Sequence, residues 1–340
     1  MAHHTPLRWG LLSTANINRA VIPPIRLSKR SQLIAVASRS EDRGSQYAIT
    51  WEIPRFYSSY EALLEDPEID VIYNSLPNSL HAEWSVKAMQ MGKHVLCEKP
   101  LATCTQDLEK MIRVSAETGK IITEAFMYRH HPQTLLVKEM VTQGEIGNLH
   151  LMTGSFCYFN TRPDDPRFDP ALGGGSLWDI GCYPISFARF LAGTEPVEVF
   201  GRQVTGPTGI DLLFAGQLVF PGAVHAQFDS SFISPHKVGM EITGEKGRIT
   251  IPEPFKPGNK NTILLQRDDQ TKTIRIKGQE LYTGEIQDME DAVLEGKPAR
   301  ITLQESRGNL ITIETLYRSA LELRPLLTRE VIDHNQESSS

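Results

Sequence analysis

The sequence predicts a two-domain α/β protein, with a doubly wound parallel sheet followed by an α+β domain built on a large, mostly antiparallel sheet. Three observations predict this fold. In the first third of the chain, short apolar runs rich in β-branched residues alternate with amphipathic segments, as in parallel strands joined by helices. Beyond about residue 127, most segments resemble strands separated by turn residues. A chain of 340 residues is long enough for two domains that each bury a core.

The first domain is expected over residues 1–127, as strands that alternate with helices. Its predicted strands are RWGLLS, QLIAVAS, VIYNSL, HVLCE and IITEA. Helices are predicted over LHAEWSVKAMQMG and TQDLEKMIRVSAETG, because apolar residues recur there at helical spacing. Gly92 and Gly119 close these two segments, at positions where glycine commonly ends a helix.

The second domain is expected over residues 128–330, followed by a polar tail over 331–340. Helices are predicted at 132–143, 177–191 and 303–323. The predicted strands are LHLMTGSFCYF, VEVFGRQV, LLFAGQLVF, AVHAQFDSSF, VGMEITG and RITI. Their number and the turn residues between them favour a mostly antiparallel sheet.

Charge and cysteine usage exclude several classes of function. The formal net charge of −6, spread without a basic block, argues against nucleic acid or a membrane surface as a partner. The start of the chain, MAHHTPLRWG, lacks the basic and apolar regions of a signal peptide, and no apolar run is long enough to span a bilayer. We therefore expect a cytoplasmic protein. Its cysteines show no metal-binding spacing and are expected to be reduced; they are Cys97, Cys104, Cys157 and Cys182.

The stretch STANIN, residues 13–18, lies where a strand runs into a helix, as in a dinucleotide-binding turn. Such a turn needs backbone N–H groups close to a pyrophosphate and a helix start aimed at it. Glycine usually meets these needs, but Ser13, Ala15 and Asn18 occupy the glycine positions here. The motif alone fits any strand-turn-helix connection. Its place at the start of the first alternating unit favours the dinucleotide site.

The end of the second predicted strand bears on the choice between NADP and NAD. Ser38 and Arg39 fall there, and an arginine suits the 2′-phosphate of NADP. If the strand ran two or three residues further, Glu41 or Asp42 would face the ribose and favour NAD. An exposed arginine at a helix start is the other interpretation of Arg39. We predict NADP as the cofactor, with NAD possible.

Two longer motifs identify a family. They are GKHVLCEKPLA, residues 92–102, and GGGSLWDIGCYPIS, residues 173–186, and they occur together with LPNSLHAEW and EAFMYRHHPQ. With them the chain resembles the Gfo/Idh/MocA oxidoreductases over nearly its whole length. The resemblance implies an N-terminal Rossmann domain, NAD(P)-dependent oxidoreductase activity, and a homodimer or homotetramer joined through an open sheet in the second domain.

The resemblance also implies roles for individual residues. It places Lys99 near the nicotinamide and substrate, and Asp179 in contact with substrate. Many members of the family have histidine where this chain has Tyr183, so the chain is similar to a tyrosine-bearing branch. That branch includes NADP-dependent D-xylose dehydrogenases, dimeric dihydrodiol dehydrogenases and sugar-nucleotide 3-ketoreductases.

Residue chemistry is consistent with these roles. Oxidising an alcohol requires a base for the hydroxyl proton, and the reverse reaction requires an acid. Tyr183 can serve as either if a cation such as Lys99 stabilises its phenolate, since the usual tyrosine pKa is about 10. Asp179 lies four residues before Tyr183 on a predicted helix, hence on the same face. The alternatives are a packed tyrosine, a solvated lysine and an aspartate that caps the helix.

The complete predicted site follows from these motifs. The predicted cofactor contacts are Ser13, Thr14, Ala15, Asn16, Ile17, Ser38, Arg39, Leu76, Pro77, Asn78, His81, Glu98 and Lys99. The predicted substrate contacts are Arg129, Asn160, Arg162, Asp179 and Tyr183. The alternative interpretation of His81 is that it begins a helix and has no contact with the cofactor. The alternative for Arg129, Asn160 and Arg162 is that they form salt bridges at the surface. His130 and His131 are adjacent and would point apart, so no metal site is expected.

The expected activity is that of a sugar or polyol dehydrogenase similar to D-xylose 1-dehydrogenase. One alternative is a ketoreductase for a nucleotide-linked keto-sugar, which would need a larger and more basic cleft. Another is a non-catalytic nucleotide-binding sensor, which would be expected to lose Lys99 or Tyr183. This chain keeps both residues.

Overall fold

The structure, a computed structural model, describes residues 5–162 and 164–328. The strands in these ranges are β1 Leu7–Leu12, β2 Ser31–Ala37, β3 Arg55–Tyr57, β4 Val71–Asn74, β5 His94–Glu98, β6 Ile122–Ala125, β7 Leu149–Cys157, β8 Glu198–Thr205, β9 Asp211–Phe220, β10 Val224–Ser231, β11 Lys237–Gly244, β12 Gly247–Ile251, β13 Lys260–Arg267, β14 Gln270–Lys277 and β15 Leu326–Leu327. The α-helices are α1 Asn18–Leu27, α2 Glu41–Thr50, α3 Tyr60–Glu65, α4 His81–Gln90, α5 Thr105–Thr118, α6 Pro132–Thr142, α7 Cys182–Ala192, α8 Thr283–Glu295 and α9 Leu303–Glu322.

The chain forms two compact units. The first joins the chain up to Met127 to Tyr282–Ser306, and the second joins Tyr128–Leu281 to the chain from Arg307. This division differs from the expected domains at residues 282–306, which the sequence pattern places in the second domain. The polar tail expected over 331–340 lies outside the described residues.

The first unit contains a six-stranded parallel sheet in the order β3-β2-β1-β4-β5-β6. This is the strand order of the Rossmann fold, and it confirms the predicted doubly wound sheet. In such a sheet the direction of winding reverses between β1 and β4, and ligands bind outside the carboxyl ends of the strands at that point. The loops that follow β1, β2, β4 and β5 are therefore the ones that can form a dinucleotide site.

Helix α8 belongs to the first unit because its apolar face completes that unit's core. Ile286 and Met289 are buried in one cluster with Trp9 and Leu96 of the parallel sheet. Burying side chains of this size removes enough apolar surface from water to stabilise the packing by about 1.5–3 kcal/mol each. The sequence analysis did not predict this helix.

The second unit contains a nine-stranded sheet in the order β14-β13-β12-β11-β7-β10-β9-β8-β15. Only β7 and β10 pair in parallel, and the other neighbours are antiparallel, so the predicted mostly antiparallel sheet is confirmed. Helix α7 packs closely on one face. A Cβ atom on Gly154 of β7 would lie only 2.9 Å from Cβ of Pro184, so the absence of a side chain permits this approach.

The helix predicted at 177–191 has two parts. One turn of π-helix covers Leu177–Gly181, and α7 follows at Cys182. Such turns are uncommon and are often found at functional sites. None of the described helices is long and apolar enough to cross a membrane.

Candidate active site

The loop after β1 makes its sharp turn without glycine. Ser13 has φ 93°, a left-handed conformation that side chains usually disfavour. Its backbone is held on both sides: its N–H donates to the carbonyl of Ala37 at 3.0 Å, and its carbonyl accepts from Nδ2 of Asn18 at 2.8 Å. Its hydroxyl lies 3.1 Å from the hydroxyl of Ser75. These bonds hold the conformation that a glycine would adopt without them.

Helix α1 begins immediately after this loop. No side chain caps its start, which lies at Ile17. The first N–H groups of a helix carry partial positive charge, so an uncapped start attracts a phosphate group. Ser13, Thr14, Ala15 and Ile17 are half-buried and Asn16 is exposed. The chemistry of the loop therefore suits a pyrophosphate.

Strand β2 ends at Ala37, which leaves Ser38 and Arg39 at its carboxyl end. Ser38 is buried and its hydroxyl accepts from the N–H of Ser40, whereas Arg39 is exposed. The longer strand that would have brought an acidic residue to the ribose is not present. Both acidic residues, Glu41 and Asp42, instead lie in the first turn of α2.

His81 is buried and joins two loops of the first unit. Its Nδ1 lies 2.7 Å from the carbonyl oxygen of Pro100, and its Nε2 lies 2.8 Å from that of Leu76. Burial, opposed by these two contacts and assisted by the charge of Lys99, lowers the pKa of His81 to about 4. His81 is the first residue of α4. Pro77 and Asn78 lie half-buried in the segment before it.

The Glu-Lys-Pro motif begins at Glu98, the last residue of β5. The Lys99–Pro100 peptide bond is cis, and Lys99 is half-buried. The Glu98 carboxylate accepts a bond from the N–H of Lys99 at 3.3 Å and another from the hydroxyl of Tyr73. Burial, reinforced by Glu98, raises the pKa of Tyr73 well above its usual value, so Tyr73 remains a donor. The backbone of Lys99 is thus fixed at the carboxyl end of the sheet.

In the second unit, a buried carboxylate holds the glycine-rich turn before the π-helix. Asp211 accepts from the hydroxyl of Ser176 at 2.7 Å, the N–H of Leu177 at 2.8 Å and the hydroxyl of Tyr317 at 2.6 Å. Gly175 has φ 126°, and a Cβ there would lie 2.3 Å from Oδ1 of Asp211. Sequence analysis missed Asp211 and Tyr317, because no local pattern links them to a turn so distant in the chain.

Asp179 lies in the π-helical turn, with its carboxylate held by two side chains. Its Oδ2 accepts from Nε of Arg167 at 2.7 Å and from the hydroxyl of Tyr158 at 3.3 Å. The charge of Asp179 raises the pKa of Arg167, which also bonds Asp165 at 3.2 Å. Sequence analysis missed Arg167 and Tyr158. Tyr158 falls near the end of the predicted strand LHLMTGSFCYF, and Arg167 lies among polar residues before the glycine-rich turn. Neither position indicates a carboxylate partner.

Tyr183 lies in the first turn of α7 and is 4% exposed. Its ring packs against Tyr128, Phe156 and Phe255, with centroids 5.6, 5.5 and 5.7 Å away. Its carbonyl accepts from the hydroxyl of Tyr128 at 3.3 Å. The ring of Tyr183 is therefore well packed, which is what the alternative to a catalytic role predicts. The same packing holds the ring in one orientation, which a proton-transfer group also needs.

The other predicted substrate residues have different surroundings. Arg129 is buried, donates to the hydroxyl of Ser186 at 3.1 Å and stacks on Phe190 at 3.9 Å, so it does not lie at the surface. Arg162 is 71% exposed and pairs with Asp165 at 3.1 Å. The side-chain oxygen of Asn160 accepts from the N–H of Arg162 at 3.3 Å.

No group of three or more histidine, cysteine, aspartate or glutamate side chains in the described parts of the chain could hold a metal ion.

Comparison with known families gives a match in each part of the chain. A profile for the oxidoreductase family with an NAD-binding Rossmann fold matches residues 7–126, and one for the GFO/IDH/MocA C-terminal domain matches residues 134–250. The chain belongs to the Gfo/Idh/MocA family. The predicted resemblance is confirmed, and the protein is an NAD(P)-dependent oxidoreductase of this family.

Individual relatives differ in what they act on. D-xylose 1-dehydrogenase (NADP(+)) 2 of Haloferax volcanii is 35% identical over 92% of this chain and 97% of its own. KijD10, a 3-ketoreductase of Actinomadura kijaniata solved with NADP and TDP-benzene, has a TM-score of 0.88 at 28% identity, over 93% of this chain and 98% of its own. An aldose-aldose oxidoreductase of Caulobacter crescentus, solved with glycerol, has a TM-score of 0.89 at 25% identity. This match covers 95% of the present chain and 100% of the other chain.

Proposed function

We propose that this oxidoreductase transfers hydride between NADP and a hydroxyl or carbonyl group of a sugar or polyol, as a dehydrogenase of the D-xylose type. The observation that carries the proposal is the fixed pair on the segment from Asp179 to Tyr183. Arg167 and Tyr158 hold the carboxylate, and an aromatic cluster holds the tyrosine. Alcohol oxidation requires a base for the hydroxyl proton, which is the role proposed for the phenol. The carboxylate is proposed to orient the substrate by binding one of its hydroxyl groups.

NADP fits the first unit. Arg39, the exposed residue after Ser38, can offer charge-assisted bonds from its guanidinium to a 2′-phosphate. The start of α1, which no side chain caps, directs the positive end of the helix dipole to a pyrophosphate. When bound, a nicotinamide cofactor supplies or accepts the hydride. Leu76, Pro77 and Asn78 of the loop after β4 are proposed to lie beside it, together with His81 at the start of α4.

Lys99 and Tyr183 are proposed to serve one proton transfer. During oxidation the Tyr183 oxygen takes the hydroxyl proton, and in the reverse reaction it returns that proton to the carbonyl oxygen. The Lys99 ammonium favours the phenolate by its charge. Structures of KijD10 exist with a lysine and a tyrosine separately replaced, and these two residues are separated in sequence by the same number of positions as Lys99 and Tyr183. This equal separation supports the pairing.

The test is a panel of free aldoses, polyols and diols with NADP⁺ and NAD⁺, followed by nicotinamide absorbance. We expect turnover of an aldose with NADP⁺. The similarity to KijD10 makes a nucleotide-linked keto-sugar the second candidate, so reduction of a dTDP-linked ketose by NADPH is assayed in parallel. Turnover only with the linked sugar would select the second candidate. Cofactor binding without turnover of any substrate would indicate a sensor.

Arg39→Ala is expected to weaken NADP binding by about 1.5–3 kcal/mol, the usual range for a charged hydrogen bond, and to leave NAD binding nearly unchanged. The physical reason is that only NADP carries the 2′-phosphate. Calorimetric titration with both cofactors measures the difference. Arg113→Ala, which removes an exposed arginine from α5, is the matched control. Equal losses for both cofactors would contradict the assignment.

We also propose that the second unit forms a homodimer or homotetramer through the sheet face opposite α7. Ala215 is exposed near the middle of β9, between the neighbouring strands β8 and β10. Ala215→Arg would place a charge on this face and is expected to lower the molar mass measured by light scattering. A monomeric wild-type protein would contradict the proposal.

A further inference from the structure

Asn18 is a buried polar residue that the proposed chemistry does not use. It is the first residue of α1 and is 0% exposed. Its Nδ2 donates to the Ser13 carbonyl at 2.8 Å, while its Oδ1 is buried without a hydrogen-bond partner in the described chain. Leaving a buried carbonyl oxygen unpaired costs stability. The bond from Nδ2 to the Ser13 carbonyl offsets part of this cost. The Asn18 side chain also interacts with the buried hydroxyl of Tyr47.

The residue that Asn18 holds has an unfavourable conformation. Ser13, at φ 93°, occupies the first of the positions where dinucleotide-binding turns have glycine. A non-glycine residue prefers negative φ, so holding it in the left-handed region costs free energy. Asn18 occupies the last of those positions, where glycine normally permits close packing of helix and strand. The chain thus replaces two glycines with a pair of residues joined by a hydrogen bond.

We propose that Asn18 is a positioning residue, which holds the Ser13 carbonyl so that the loop keeps the conformation needed to bind the cofactor pyrophosphate. This inference rests on the proposed NADP binding. Asn18 is too deeply buried to contact the cofactor. It acts through Ser13, whose peptide groups begin the loop.

The first test is Asn18→Ala, with NADP⁺ and adenosine 2′-monophosphate as ligands in calorimetric titration. We expect the NADP⁺ dissociation constant to rise about tenfold, since 1.4 kcal/mol corresponds to a factor of ten and the strain at Ser13 is of that size. The binding of adenosine 2′-monophosphate should stay unchanged, because it carries the 2′-phosphate but no pyrophosphate. Equal losses for both ligands would mean a general structural defect and would overturn the proposal.

The second test introduces the same change into the Ser13→Gly protein. Glycine adopts positive φ without strain, so the loop no longer needs the bond from Asn18. We expect Asn18→Ala to raise the NADP⁺ dissociation constant less than threefold in this background. An equal rise in both backgrounds would show that Asn18 acts independently of Ser13, which contradicts the proposal.

Asn309→Ala is the control for truncating a buried asparagine. Asn309 is 3% exposed and accepts a bond from Arg189 in the second unit, so its loss should leave NADP⁺ affinity unchanged. The wild-type titration separates this inference from the proposed function. If the wild-type protein bound no NADP⁺, the proposed cofactor would be wrong; if it bound NADP⁺ and Asn18→Ala bound equally well, only the role of Asn18 would be wrong.

Discussion

Tyr183→Phe is expected to lower turnover by about 10² to 10⁴, the range typical of lost general acid-base catalysis. The substitution keeps the ring and its contacts with Tyr128, Phe156 and Phe255, so the folded state should survive. Only the hydroxyl that moves the proton is lost. Steady-state kinetics on the substrate found by the panel measures the effect, and NADP⁺ titration checks that cofactor binding changes less than turnover.

A tyrosine outside the proposed site is the control for this substitution. Tyr60 of α3 is 6% exposed and packs edge-on against Trp84 at 4.9 Å, so Tyr60→Phe is the same chemical change in another buried ring. Its turnover should match wild type. Near-normal turnover of the Tyr183→Phe protein would make Tyr183 a packing residue, and Lys99 or a water bound to Asp179 would have to carry the proton.

The second large effect is expected for Lys99→Met, which removes a positive charge and keeps an unbranched side chain. Turnover should fall, and the rise of the oxidation rate with pH should shift to higher pH. The sign follows because a cation favours the phenolate, so losing it makes deprotonation of the base harder. The pH dependence of kcat for oxidation measures this shift. An unchanged profile would remove Lys99 from the proton transfer.

Combining the two substitutions tests whether these residues share a step. The double variant should lose less activity than the product of the two single losses, since a single proton path cannot be broken twice. Multiplicative losses would assign Lys99 a separate role, such as binding substrate. Lys110→Met, at an exposed position on α5, controls for loss of a lysine charge.

The local structure around the proposed site was predictable from the sequence where the residues follow one another in the chain. The end of β2 at Ala37 and the start of α1 at Asn18 follow from local patterns of apolar and small residues. The Glu98 and Lys99 pair could be located at the end of β5 for the same reason. Such signals are short in range and do not depend on the rest of the fold.

In the second unit, the hydrogen-bond and packing partners of the glycine-rich turn, Asp179 and Tyr183 were not predictable from the sequence. Asp211 is 35 residues from Ser176 in the chain, and Tyr317 is 106 residues from Asp211. Their bonds form only after β9 and α9 are placed beside the glycine-rich turn. Arg167 was missed for a similar reason, since an arginine in a loop has no pattern that identifies its carboxylate partner. The environment of Tyr183 also depends on rings from separate elements.

The sequence by itself determined the alternation of strands and helices, the two kinds of sheet and the motifs of the family, because periodicity and local turn chemistry encode them. Only the tertiary structure assigned α8 to the first unit, where burial of Ile286 and Met289 decides its place. It also showed how Ser13 adopts a left-handed conformation, through the amide of Asn18. Burial and hydrogen bonds between distant segments decide such features, because they exist only once the chain has folded.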